Sequence, residues 1–207
     1  MIRGAARRRG IRLAPVLAAV AGMGLLAPPV ARAQETPVPG TIDASTPEAA
    51  SRSLVQAIRA ADYDAMADLM HPDALDELRE LFVPVFRAEE MAEFRQQMFG
   101  VATADEALAL SGRDIYRTII EFAVAGDPTM NSALRSVQAD VIGKVMEGDT
   151  AHVVYRLNMQ VEGIDLSQTS VASFREHEGR WLGILTADLR GMIAGLRQAL
   201  EAEGAGA

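Results

Sequence analysis

From Leu54 onward the apolar positions recur at helical spacing for some seventy residues, and then the period changes to two. Leu54, Val55 and Ile58 share one helical face, Met66, Leu69 and Met70 a second, and Leu75, Leu78, Leu81 and Phe82 a third. Ser45, with Glu48 three residues on and Pro47 between them, reads as a capping box opening the first helix. Asp62 is placed to cap the second helix, and His71-Pro72-Asp73 begins the third, which Pro84 should kink or end. Residues 89–99 continue as helix to a stop at Gly100, and residues 114–124 form a further helix closed by Gly126-Asp127-Pro128.

Beyond Val137 the pattern is that of half-buried strands. Val137, Ala139, Val141 and Val145 alternate with Gln138, Asp140 and Lys144, and Val153, Tyr155, Leu157, Met159 and Val161 alternate with His152, Arg156, Asn158 and Gln160. Glu147-Gly148-Asp149 between them is a hairpin turn. Residues 170–177 and 180–186 make a second pair around Glu178-Gly179, with Trp181, the only tryptophan, opening the last strand. A closing helix from Asp188 presents Leu189, Met192, Ile193, Leu196 and Leu200. Helices first and an antiparallel meander afterwards predict an α+β domain, with N-terminal helices packed on a curved sheet of about four strands.

The first 33 residues stand outside this pattern. Arg3, Arg7, Arg8, Arg9 and Arg12 precede an apolar stretch, Leu13–Val30, and Ala31-Arg32-Ala33 follows. That order predicts a secretory signal peptide over 1–33, cleaved before Gln34, and a periplasmic or secreted product. Pro15, Pro28 and Pro29 make the stretch a poor permanent span, so no stable membrane anchor is expected after cleavage. The pair Arg8-Arg9 leaves general and twin-arginine export both open. Residues 34–45, with Pro37, Pro39 and Gly40, read as a flexible lead-in, 46–203 as one domain and 204–207 as a disordered tail.

Removing the leader sharpens the charge. All 28 acidic residues but only 14 of the 20 basic ones lie beyond Ala33, which argues against nucleic acid and anionic membranes as partners. The chain has no cysteine, so an exported domain must hold together by its core alone, and a lipid anchor is excluded.

The order of elements resembles the nuclear-transport-factor-2-like superfamily, the polyketide-cyclase-like α+β cone. The resemblance runs from Thr46 to about Thr186 and is carried by Leu54-Val55-x-x-Ile58 with Asp62-Tyr63-x-x-Met66, by His71-Pro72-Asp73-Ala74, and by the hairpin Glu178-Gly179-Arg180-Trp181. Against that plan, residues 84–126 form a helical insertion and the closing helix is an addition. The resemblance implies a cone with a pocket at its open end, and members that are isomerases, dehydratases, cyclases, ligand carriers or interaction domains, so fold does not choose function.

The candidate chemistry is sparse. Tyr63, Tyr116, Tyr155, His71, His152 and His177 are the side chains a catalytic member could use. Tyr155 shares the apolar face of its strand and reads as a core tyrosine before it reads as a donor to a substrate carbonyl; Asp140 and Arg156 read as a cross-strand pair, and His71 as a helix cap or surface residue. The histidines lack ligand spacing, and no nucleophile elbow, phosphate loop or dinucleotide fingerprint occurs, so neither metal nor cofactor is expected. Apolar residues of the insertion and the sheet could instead line a pocket: Phe82, Phe86, Phe94, Met98, Tyr155 and Trp181 are the candidates, with methionine suited to varied ligands. The expected function is a non-catalytic binding domain holding a small apolar ligand; the alternatives are an assembly domain forming a homodimer and an isomerase- or cyclase-type enzyme.

Overall fold

The computed structural model describes residues 42–125, 128–161, 163–187, 189–191, 193–195 and 198. The leader, its cleavage site, residues 34–41 and the tail 204–207 lie outside the described residues, as do Met192, Leu196 and Leu200 of the closing helix. The fold is α+β, with helices preceding a four-stranded antiparallel sheet in the order β1-β2-β3-β4.

Helices α1 (Pro47–Ala60), α2 (Tyr63–Asp68) and α3 (Pro72–Arg87) form the first half of the helical layer. The cap of α1 is Thr46, whose hydroxyl accepts from the Ala49 amide, and not Ser45; Ser45 bonds Asp43. Pro47 then fills the first helical position, where a missing N–H costs nothing. Glu48 reaches Lys144 on the sheet at 3.1 Å, so no capping box forms. Asp62 caps α2 as expected, accepting from Ala65 at 2.9 Å. Pro84 does not end α3, which runs through it to Arg87. An interior proline costs about 3 kcal/mol, and here Phe82, Val85 and Phe86, all buried on either side of it, offset that cost.

A 3₁₀ turn (Glu89–Met91) leads into α4 (Ala92–Phe99), which stops at Gly100 with φ 69°. Two helices absent from the sequence reading follow the same logic. Thr103 and Glu106 make a reciprocal capping box that starts α5 (Ala104–Leu108), and α7 (Pro128–Ser136) begins on the proline read only as a terminator. Between them α6 (Gly112–Ala125) crosses α3 so closely that a Cβ on Gly112 would sit 2.1 Å from the Leu75 carbonyl oxygen.

The sheet comprises β1 (Gln138–Glu147), β2 (Thr150–Val161), β3 (Ile164–His177) and β4 (Arg180–Gly183). Both predicted turns are present, with Gly148 and Gly179 at positive φ. A register shift between Val141 and Gly143 places two residues, Ile142 and Gly143, against Val154. This bulge reverses the expected faces beyond it: Lys144 lies opposite Val153 on the core side, and Val145 lies opposite His152 on the other. β3 begins six residues earlier than its apolar pattern suggests, and β4 ends three residues sooner.

The core is two clusters bridged by Leu54. One lies among the helices around Leu78, Val85, Phe86 and Ile115; the other lies between α1 and the sheet around Ala50, Leu69, Val153 and Phe174. Ile42–Ser45, read as part of a flexible lead-in, are held: Ala44 is buried and accepts from the Trp181 amide at 2.7 Å, and Asp43 exchanges hydrogen bonds with Ser53. Leu189 and Ile193 pack into the helical cluster, and Arg190 pairs with Glu77, so the described part of the closing helix docks on its own domain.

Candidate functional site

The pocket-lining candidates separate into two groups. Phe82 and Phe86 are 3% and 1% exposed in the helical cluster, with Phe94 and Met98 packed against it. Phe99 is the hub of this aromatic group, with ring centroids 5.2 Å from Phe86 and 6.0 Å from both Phe82 and Phe94. Tyr155 and Trp181 pack against the other cluster, at the sheet. All six therefore contribute side-chain packing, and none of them lines the open hollow of ≈ 370 Å³ formed beside the far end of the β2–β3 hairpin. Six of its eight lining residues are polar, Ser136, Gln138, Asn158, Gln160, Asp165 and Ser167, and two are apolar, Met159 and Leu166.

The catalytic candidates are likewise dispersed. Tyr116 is buried in the helical cluster, where burial pushes its phenol up to about 12. Tyr155 faces the core, and burial raises it also. Asp140 and Arg156 lie directly opposite each other on β1 and β2, the cross-strand arrangement expected of them, with Asn158 donating to Asp140 at 3.1 Å. His152 bonds Ser173 at 2.8 Å and Glu147 at 3.1 Å. His71 caps α3, its Nδ1 accepting from the Asp73 amide at 3.1 Å, and its ring meets His177 edge-on at 5.2 Å. Among the described residues no group of three or more His, Cys, Asp or Glu side chains is placed to hold a metal.

The sheet has a face that the sequence reading passed over. Helix α1 covers the side bearing Val153 and Phe174, and Lys144 on that side reaches Glu48 of α1. On the opposite side, register aligns Gly143 and the bulged Ile142 with Val154 and Val171, and in the next row Val145 with His152 and Ser173. Ile142, Val145 and Val171 are 56%, 61% and 53% exposed. They form an apolar stripe across three strands, since opposed side chains in a sheet stand about 5 Å apart.

Charged rows flank the stripe. Toward the β1–β2 turn lie Glu147, Asp149 and Arg175, the last 3.2 Å from Asp149; toward the other end lie Asp140 and Arg156. Each end thus carries both signs. The sequence does hold a signal for this face: Val153-Val154 and Val171-Ala172 are apolar doublets, and a doublet within a strand puts one apolar side chain on each side.

No family model matches the chain, and no curated protein does. Among solved structures, that of a SEC-C motif containing protein from Rhodopseudomonas palustris is similar at 17% identity and a TM-score of 0.35, over 69% of this chain and 77% of that one.

Proposed function

We propose that the protein is an exported, non-catalytic assembly domain that pairs with a second copy of itself through the outer face of its sheet. The observation that carries this reading is the stripe of Ile142, Val145 and Val171, more than half exposed on the side away from α1. Exposed apolar residues gathered in one patch and rimmed by polar ones mark interaction sites. A two-fold pair brings the same patch from both copies together. Each end of the stripe carries both an acid and a base, so a second copy finds charges of either sign to pair with at both ends. The order of elements, helices and then a four-stranded meander, supports the resemblance to the nuclear-transport-factor-2-like superfamily, whose range of functions includes interaction domains.

A ligand-carrying cone draws less support. The aromatic side chains that would line it are pressed against one another and against the helices around them.

Sedimentation velocity tests the proposal. The wild-type protein sediments as a dimer at micromolar concentration, and Val145→Glu shifts it to monomer while its circular dichroism stays unchanged, because the substituted side chain points to solvent in the single copy. A wild-type monomer at about 100 μM, a concentration at which even a weak 10 μM pair is mostly formed, contradicts it. A V145E variant that remains dimeric places the interface elsewhere.

A further inference from the structure

At the junction of the helical layer and the sheet, a single buried histidine holds two elements together through three polar groups that make four hydrogen bonds. The His71 amide donates to the Gly183 carbonyl of β4 at 2.8 Å, and Gly183 returns a bond to Leu69 at 2.7 Å, so residues 69–71 lie along the outer edge of β4. The His71 carbonyl accepts the Ala74 and Leu75 amides at 2.9 and 3.1 Å, starting α3. Its imidazole closes the turn, Nδ1 accepting from the Asp73 amide at 3.1 Å. The ring is 5% exposed.

A nitrogen that accepts a backbone N–H must carry a lone pair, so this geometry requires the neutral ring with its proton on Nε2. A proton on Nδ1 points a second hydrogen at the Asp73 amide and ends the cap. The groups facing the ring offer little alternative. From α3, the Asp73 carboxylate stands 3.7 Å from Nδ1, but Arg175 of β3 lies 3.9 Å from the same Oδ2 and competes for it. From β3, His177 meets the ring edge-on, and Arg175 adds a fixed positive charge; from the β1–β2 turn, Asp149 is drawn to Arg175 at 3.2 Å. From β4, the charged neighbour Arg180 reaches back to the Asp68 carbonyl.

We propose that His71 is a proton-operated latch: its neutral ring closes the first turn of α3, the turn whose backbone is bonded to the β4 edge, and its protonation opens that cap. Burial, with His177 and Arg175 beside it, holds the His71 ring below the usual imidazole value, with Asp73 opposing. Its contribution is therefore complete above the unfolded value near 6.5 and is lost as the pH falls below that value toward the lower folded one. This latch does not rest on the assembly reading, because it acts within one copy.

Two measurements test it. Ring ¹⁵N chemical shifts of the full-length wild-type protein at about pH 7.5 show the Nε2–H tautomer for His71, and on acidification the Asp73 and His71 amide resonances move with the His71 titration. An Nδ1–H tautomer, or an Asp73 amide that ignores the titration, overturns the proposal without any variant. In the second measurement, His71→Asn keeps an oxygen acceptor at the cap position but cannot be protonated. Between about pH 7.5 and 5 the wild-type unfolding equilibrium constant rises severalfold, while that of H71N rises measurably less across the same interval. Parallel profiles for the two proteins refute the latch.

Discussion

Gly112 has no functional group, yet it fixes how near two helices lie. A methyl group there would meet the Leu75 carbonyl carbon at 2.6 Å and its oxygen at 2.1 Å, and backbone cannot swing aside as a flexible side chain can. Gly112→Ala therefore forces α6 away from α3, against the gain in helix propensity that alanine normally brings. An overpacked contact of this kind costs about 1–3 kcal/mol, and thermal unfolding of G112A should show a clear drop in Tm. An unchanged Tm would mean that the two helices are free to separate. Other single residues were readable in advance because their roles are local: Asp62 caps α2, and Gly100 ends α4 in the left-handed region. His71 was legible as a cap, but its bond to β4 was not, since Gly183 is more than a hundred residues away.

The strands show where pattern ceases to inform. β2 alternates along its length and was visible in the sequence. The first half of β3 was not, because its core-side residues Leu166, Gln168 and Ser170 are partly or wholly exposed and have no reason to be uniformly apolar; pairing with β2 alone defines it. In β1 the bulge defeats alternation outright, and with it the assignment of Lys144 and Val145. The bulge also bends an edge strand, and an inward lysine tied to Glu48 makes the same edge a poor template for another strand. Deletion of Gly143 removes the extra residue while leaving every side chain of β1 on its present face, so the variant should fold with a stability change below about 1 kcal/mol. Its flattened edge should then aggregate faster than wild type under mild heating, as followed by light scattering. Slower aggregation would show that the bulge does not protect the edge. Helices α5 and α7 escaped notice for a simpler reason: each is short, and Thr103–Glu106 and Pro128 were start signals inside a stretch otherwise read as connection.

For the whole molecule, the order of helices and strands along the chain sets an α+β layer arrangement, and with no cysteine in the chain no disulfide braces it. The sequence could not say whether its aromatic residues surround a space or fill one. Phe82, Phe86, Phe94 and Phe99 satisfy either reading by composition, and their ring contacts at 5.2–6.0 Å are those of a packed aromatic cluster. The exposed apolar stripe lies instead on the outer sheet face, between rows of mixed charge.

Mass spectrometry of the purified protein under native and then denaturing conditions tests this account most directly. Assembly through the sheet predicts a native mass of two chains that falls to one chain on denaturation, with nothing else released. A single chain carrying a discrete extra mass, lost on denaturation, would contradict it and restore the ligand-carrying cone.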